Sequence, residues 1–345
     1  MKHHRVAVIP GDGIGPEVID AALSVLEVVA RRFGFALDLE RLPYGAEHFL
    51  ATGETLPDAA FTHLQRDVDA ILLGAVGDPR VPDNRHARDI LLGLRSRLDL
   101  YINLRPVVLL HPDITPLRDA RAIDFVIFRE NTEGMYFTRP RVEGDNYIAE
   151  ELNTKAGVAR IIRAAFEHAR RTGRQRVTMS DKSNAVGAHR VWQEQFKAIA
   201  AEFPGIAAEH RYVDALAMEL VREPQRFAVI VTNNLYGDIL SDLGAGLVGG
   251  LGLAASANLH PGRPGLFEPV HGSAPPLAGK NVANPFAAIL TSAMMLAELG
   301  QPEAAALLDQ AVRAALAAGI RTPDLGGSTG TREAAAWVKE QVTGR

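Results

Sequence analysis

Asp238 and Asp242 stand four residues apart in the run Asn234-Leu235-Tyr236-Gly237-Asp238-Ile239-Leu240-Ser241-Asp242. An apolar stretch from Phe227 to Val231 precedes them and reads as a buried strand. Gly237 and Asp238 then open a helical pattern. On a helix the two carboxylates share one face. Like charges one turn apart repel unless a cation sits between them. A hard divalent ion such as Mg2+ or Mn2+ suits two carboxylates completed by water and substrate oxygens. The plainer alternative is a solvated acidic helix start, which the helix dipole favours by itself.

Elements able to position such residues are visible along the chain. Strand-like runs at Val6–Ile9, Ala70–Leu73, Phe125–Phe128, Val177–Met179 and Phe227–Val231 alternate with helical patterns. The helical stretches are Pro16–Phe33, Thr154–Thr172, Ala188–Phe203, Pro285–Leu299 and Pro302–Ala318. This alternation predicts an α/β fold. No fixed-period repeat or low-complexity linker interrupts it.

Composition narrows the function classes. The chain has 345 residues, 47% of them hydrophobic, which supports a sizeable core. A formal net charge of -4 gives no case for nucleic acid or a membrane surface. The absence of cysteine excludes disulfides, thiolate metal sites and a Cys nucleophile. The first residues run straight into a strand without a signal-peptide core, so a cytoplasmic location is expected. The segment Leu243 to Ala257 is apolar but Gly-interrupted, and shorter than the roughly 20 residues of a membrane span.

Several motifs flank the aspartate pair in a fixed order. Gly11-Asp12-Gly13-Ile14-Gly15-Pro16-Glu17 comes first, and Tyr212-Val213-Asp214-Ala215 lies just upstream of the pair. Glu268-Pro269-Val270-His271-Gly272-Ser273-Ala274-Pro275 and Ala283-Asn284-Pro285 follow. Together they resemble the β-decarboxylating dehydrogenases, the family of isocitrate, 3-isopropylmalate, homoisocitrate and tartrate/D-malate dehydrogenases, from Val6 to about Gly327. The resemblance implies an isopropylmalate dehydrogenase-like two-domain α/β fold, distinct from the Rossmann fold. One domain would take 1–104 and 250–345, the other 105–249, with the active site in the cleft between them.

The reaction implied is removal of hydride from C2 of a 2-hydroxy acid, loss of the C3 carboxylate as CO2, and protonation of the enolate. By resemblance, Asp214, Asp238 and Asp242 would hold Mg2+ or Mn2+, with K+ as a further activator. Arg95, Arg105 and Arg129 would clamp substrate carboxylates, a task that suits guanidinium forks. Lys182, in Ser180-Asp181-Lys182-Ser183-Asn184, would be the base, and a nearby metal ion and arginines would favour its neutral form. Tyr136 would be the acid. Without their motifs, each of these would be better read as a core-edge or surface residue. The family also implies a homodimer, with tetramers a further option, in which Lys182 and Asp214 reach into the partner's site.

The run Gly11 to Gly15 tempts a dinucleotide reading, but the third glycine of that fingerprint would fall on Pro16. A tight turn with Pro16 opening a helix fits better. The resemblance places the dinucleotide on His271, Gly272, Ser273 and Ala274 and around Asn284. It sets Ile14 and Glu268 beside the site, Glu133 near the nicotinamide, and Asn184 beside Lys182 or the cofactor amide. The acidic residue that NAD-using relatives carry is replaced by Pro276-Leu277, and the cationic clamp of NADP-using relatives is missing at Pro323 and Gly327. Ala283 matches the NAD type. NAD is expected, with weaker discrimination than usual, since a 2'-phosphate without a cation is costly to desolvate.

Substrate choice in the family lies on the helix before Arg95. Leu91 and Leu92 match the pair that faces an isopropyl group. Arg88 stands where isopropylmalate enzymes commonly carry Glu, and with Arg85 and His86 it forms a basic cluster that could be a solvated helix start or could meet a further anionic group on the substrate. Isopropylmalate is the first expectation, ahead of tartrate/D-malate and tricarboxylic acids. A non-catalytic regulatory subunit would have lost an acid, base or metal ligand, and all five are present.

Overall fold

The computed structural model describes residues 2–118 and 122–344. Within them run twelve strands: β1 (Lys2–Gly11), β2 (Phe35–Arg41), β3 (Ala70–Ala75), β4 (Ile102–Val108), β5 (Asp124–Glu130), β6 (Arg141–Glu143), β7 (Asn146–Ile148), β8 (Arg176–Asp181), β9 (Ala207–Tyr212), β10 (Val229–Thr232), β11 (Ala255–Leu259) and β12 (Gly265–Pro269). Eleven α-helices join them: α1 (Gly15–Phe33), α2 (Ala46–Thr52), α3 (Asp58–Arg66), α4 (Arg85–Arg97), α5 (Lys155–Thr172), α6 (Arg190–Ala200), α7 (Val213–Arg222), α8 (Asn234–Leu247), α9 (Phe286–Glu298), α10 (Pro302–Ala317) and α11 (Thr331–Thr343).

The chain packs as two compact units. The first comprises Met1–Asp99, Leu110–Ile114 and Gly249–Arg345, and the second Leu100–Leu109 and Thr115–Val248. Strand β4 falls wholly in the second unit, slightly ahead of a boundary drawn at 104. It does so because its residues pair antiparallel with β5, from Ile102 opposite Glu130 to Val108 opposite Asp124.

In the first unit the strand order is β2-β1-β3-β12-β11. The first four pair in parallel, and β11 runs antiparallel to β12. Every residue of β3 is buried, as expected where helices cover both faces of a parallel sheet. Helix α1 packs on α11 and α9, and α9 on α10. Helix α1 opens as its sequence predicts, with Pro16 in the first turn, and it ends on Gly34 in the left-handed region at φ 72°. The turn before it depends on Gly13, at φ 57°. A Cβ there would lie 2.0 Å from the Ser273 carbonyl oxygen. That oxygen accepts the Ile14 N–H at 2.8 Å, tying the turn to the 271–275 loop.

In the second unit the order is β4-β5-β10-β8-β9. Strand β10, buried throughout, pairs in parallel with β5 and β8. The register sets Thr232 beside both Arg129 and Ser180. The carboxyl ends of three parallel strands thus deliver Arg129, the Lys182 loop and the start of α8, the side on which open α/β sheets place their ligands. Phe125, Ile127, Leu216, Ile230 and Leu240 are among the residues that close the core between sheet and helices. Periodicity predicts a helix opening at Gly237, whereas α8 starts at Asn234, because the Asn233 side chain caps it by accepting the Tyr236 N–H at 2.9 Å.

Among the described residues no helix is long and apolar enough to cross a membrane. The Leu243 to Ala257 segment divides into the end of α8, a short turn and the start of β11.

One core contact carries a pH dependence. His168 on α5 meets the Phe128 ring edge-on, with centroids 5.0 Å apart. Burial, aided by Arg171 and Arg174, pushes its imidazole down to about 4. The folded state therefore holds His168 neutral where the unfolded chain, with a pKa of about 6.5, binds a proton. This contribution to stability is complete above about pH 6.5 and is lost as pH falls toward 4. Urea unfolding of wild type and His168→Leu at pH 7.5 and 5.0 should show the wild type losing on the order of 1 kcal/mol more than the variant, after allowance for solvent screening. Equal losses would remove His168 as the cause.

Candidate active site

Helix α8 brings Asp238 and Asp242 onto one face, and three further side chains converge on them. Arg129, 1% exposed at the end of β5, donates through Nε and Nη2 to Asn234 Oδ1 and through Nη1 to Asp238 Oδ1. Arg105, buried on β4, sets Nη1 3.3 Å from Asp238 and 3.4 Å from Asp242, and donates to Ser241 Oγ at 2.6 Å. The Tyr136 hydroxyl donates to Asp238 Oδ2 at 2.9 Å. The pair that repels on a bare helix is thus bridged by arginine.

Backbone space makes this possible. A Cβ on Gly237 would meet Arg129 Cγ at 2.6 Å and Cβ at 2.7 Å. Only a residue without a side chain lets the guanidinium lie against the first turn of α8.

The electrostatics suit acid–base chemistry. Burial first, and then the neighbouring Asp238, raise the Tyr136 pKa, so the phenol keeps its proton. Burial and Asp238 also raise Asp242, against the opposing pull of Arg105 and Arg129. A hard cation shared by the two carboxylates would relieve that repulsion, and two carboxylate oxygens are suitable donors.

Lys182 and Asp214 form a separate pair. Lys182 Nζ lies 2.7 Å from Asp214 Oδ1, and that contact lowers the Asp214 pKa. Asp214 sits in the first turn of α7. Among the described residues no group of three His, Asp or Glu side chains is placed to hold a metal ion, and the ion pair that Asp214 makes is with Lys182. Asn184 is exposed.

Glu133 has a local task. Its carboxylate accepts the Thr154 N–H at 2.8 Å and the Thr154 hydroxyl at 2.6 Å, at the cap of α5. Glu130, buried below it, accepts the N–H groups of Thr132 and Glu133 and shapes the loop leading to Tyr136.

In the first unit, Arg95 is buried on α4 and donates to Glu268 Oε1 at 2.7 Å, where Asn258 also donates at 3.0 Å. Leu91 and Leu92 are half-buried on the same helix, and Arg85 and Arg88 are exposed at its start. The basic cluster is divided, however. His86 is fully buried, with Nε2 2.8 Å from Asp12 Oδ2, and so does not share the solvated or anion-facing role considered for its neighbours. The Asp12 carboxylate also accepts the N–H groups of Ala46 and Gly77. Asp12 and His86 are positioning residues that spacing does not reveal, since the histidine's partner lies 74 positions away.

The 271–275 loop is built for close backbone approach. Ser273 is buried, Gly272 exposed, and Ala274 left-handed at φ 38° ahead of the turn Pro275–Leu277, which sets Pro276 and Leu277 in solvent. Burial lowers the His271 pKa and keeps the ring neutral. Ala283 is buried. Asn284 donates to Asp324 Oδ2 at 3.0 Å and accepts the Phe286 N–H at 2.9 Å. Asp324 is the acidic group near this loop that sequence reasoning passed over.

The arginines, tyrosine and carboxylate pair gathered at the start of one helix form a site suited to a carboxylate-bearing ligand and a hard cation. Residues 5–340 match the family described as isocitrate/isopropylmalate dehydrogenase, and the chain belongs to that family. The 3-isopropylmalate dehydrogenase of Thermobifida fusca (strain YX) is 46% identical over 318 residues, covering 89% of this chain and 90% of the relative. That of Clavibacter michiganensis subsp. michiganensis (strain NCPPB 382) is 47% identical over 327 residues, 91% of each. The crystal structure of isocitrate dehydrogenase from Methylococcus capsulatus superposes with a TM-score of 0.90 at 39% identity, covering 99% of each chain. The chain is accordingly an enzyme of the decarboxylating dehydrogenase class.

The glycine constraint is testable. Gly237→Ala should destabilise the protein by about 1–3 kcal/mol, as overpacking of a filled core does, and should raise KM for the hydroxy acid by displacing Arg129. Urea unfolding with steady-state kinetics checks both. Unchanged values would mean that Arg129 has room to move.

Proposed function

We propose that the chain oxidises and decarboxylates 3-isopropylmalate to 4-methyl-2-oxopentanoate with NAD, as a step of leucine synthesis in the cytoplasm. The observation that carries this reading is the convergence of Arg105, Arg129, Tyr136, Asp238 and Asp242 at the start of α8. Relatives of this name at 46% and 47% identity support the substrate.

Arg105 and Arg129, now engaged with Asp238, would exchange that carboxylate for those of the substrate, with Arg95 as the third clamp. Asp238 and Asp242, with Asp214, would hold Mg2+ or Mn2+, which polarises the C2 oxygen as a Lewis acid when bound, and K+ would act as a further activator. Lys182 would take the hydroxyl proton, with bound NAD as the acceptor of the C2 hydride, and loss of CO2 from C3 would leave the enolate. Tyr136, which burial keeps protonated, then delivers a proton to C3. Leu91 and Leu92 would face the isopropyl group. Ile14, Glu133, Asn184, Glu268, His271, Gly272, Ser273, Ala274, Pro276, Leu277, Ala283 and Asn284 would bound the NAD site.

The pairing of Lys182 with Asp214 accords with the family's homodimer, in which one protomer's lysine would serve the other's carboxylates. Lys182→Ala and Asp242→Asn should each abolish turnover with Mn2+. Equilibrated mixtures of the two variants should recover about a quarter of wild-type activity, because half the dimers carry one intact site of two. Mixtures that exchange subunits and stay inactive would place the whole site in one chain.

One observation favours a second reading. Arg85 and Arg88 are exposed in the first turn of α4, where the dipole disfavours cations and the turn itself holds no acidic residue. They could receive a further carboxylate, as in a tricarboxylic substrate. NADH formation with 3-isopropylmalate, D-malate, tartrate, isocitrate and homoisocitrate decides between the readings. The highest kcat/KM should fall to isopropylmalate, and NADP should be the poorer cofactor. A lead for a tricarboxylic acid that Arg88→Ala removes would establish the second reading.

A further inference from the structure

We infer that Glu151 and His189 form a positioning dyad that sets the backbone of Lys182 and links its loop to the helix carrying Asp238 and Asp242. The inference rests on the reading of Lys182 as the base.

His189 is fully buried at the end of the loop that follows β8. Its Nδ1 lies 3.1 Å from the Lys182 backbone nitrogen, and its Nε2 lies 3.0 Å from Glu151 Oε2. A backbone N–H can only donate, so Nδ1 must accept, and the ring proton sits on Nε2 and faces the carboxylate. The Lys182 carbonyl accepts the N–H groups of Ala185 and Val186 at 3.0 Å and 2.8 Å. Both polar groups of the Lys182 backbone are therefore tied.

Glu151 extends the link. Its Oε1 accepts Asn233 Nδ2 at 2.9 Å. The Asn233 oxygen is already committed to the Tyr236 N–H, so the amide cannot turn over. The Tyr236 ring stands edge-on to His189, with centroids 5.6 Å apart. A continuous run of hydrogen bonds thus joins the Lys182 N–H to the cap of α8, one turn before Asp238. Burial opposes ionisation of Glu151, but the hydrogen bonds from His189 and Asn233 help hold it below the usual carboxylate range.

The carboxylate has a defined task here. It faces two donors, and only two oxygens satisfy both. In Glu151→Gln the amide oxygen can serve Asn233 or His189 but not both. If it serves Asn233, the amide nitrogen faces Nε2 and draws the ring proton to Nδ1, against the Lys182 N–H. The residue replacing His189 can test each half of the link. Asparagine sets an amide oxygen near the Nδ1 position and keeps the acceptor for Lys182. Glutamine sets its amide near Nε2 and keeps the contact with Glu151 only.

The expected results follow from that difference. Glu151→Gln should lower kcat by about tenfold or more, with KM for hydroxy acid and NAD within about twofold. His189→Gln should do the same, whereas His189→Asn should stay within about threefold of wild type. Adding Glu151→Gln to His189→Asn should cost less than about twofold, because no tautomer remains to be set. A Glu151→Gln loss equal in both backgrounds, or a lowered thermal midpoint with kcat unchanged, overturns the dyad. Should Glu151→Gln fail to fold, the His189→Asn and His189→Gln pair carries the test, and equal kcat values overturn it. Lys182→Ala separates the two readings. Full activity in that variant removes the base assignment, while an inactive Lys182→Ala beside unaffected dyad variants removes the dyad alone.

Discussion

A guanidinium buried to 1% exposure on β5 is the constraint around which the second unit is arranged. Taking such a charge out of water costs several kcal/mol unless it is paired and hydrogen-bonded. Arg129 meets that demand in large part through Asn234 and Asp238 on the first turns of α8. The helix must therefore come close, which requires Gly237, and must start early, which requires the Asn233 cap. With α8 held there, Asp238 also reaches Arg105 and Tyr136. The same contacts that make the fold tolerable assemble the charges that the chemistry needs.

The first unit solves a similar problem with the opposite sign. Asp12 is buried, and its carboxylate gathers the N–H groups of Ala46 and Gly77 and the ring of His86. One carboxylate thereby joins the β1–α1 turn, the start of α2, the segment after β3 and the start of α4. That last helix carries Leu91, Leu92, Arg88 and Arg95. The β1–α1 turn in its turn contacts Ser273 through Gly13 and Ile14. The helix proposed to read the substrate and the loop proposed to hold NAD are therefore fixed to a common point.

How much of this was legible varies with the kind of signal. Buried strands such as β3 and β10 are continuous apolar runs and are visible as such. The edge strands β2 and β9 are largely outside the core, since Phe35–Arg41 and Ala207–Tyr212 each pair on one side only and bury a single residue between them, Phe35. Neither sequence carries a buried apolar run, and the alternation Leu37-Asp38-Leu39-Glu40 is brief. The motif around Asp238 announced an acidic helical face, but not that Arg105 and Arg129 would occupy it in the same chain. The turn glycines and Pro16 were legible because only a few residue types serve there. His86 and His189 were not, because a buried histidine depends on partners 74 and 38 positions away. Glu133 read as a site residue, and its bond to Thr154 depends on how α5 is capped.

The pairing of charges also bears on how such a site remains poised. Lys182 with Asp214, and Arg105 and Arg129 with Asp238, are complementary groups joined within the chain. Each proposed ligand would have to replace a contact of the same type, a carboxylate for a carboxylate on arginine, or a cation for a cation on aspartate. Exchange of like for like keeps the desolvated charges compensated at every stage. It also means that binding energy would reflect a difference between two ion pairs and not a whole one, so on the proposed reading shape contacts such as those of Leu91 and Leu92 would decide between acids that present the same carboxylates. A methylene in such a pocket is worth about 1–3 kcal/mol. On the proposed reading, discrimination between acids would fall to Leu91 and Leu92 on α4, and the proton and charge chemistry to the start of α8.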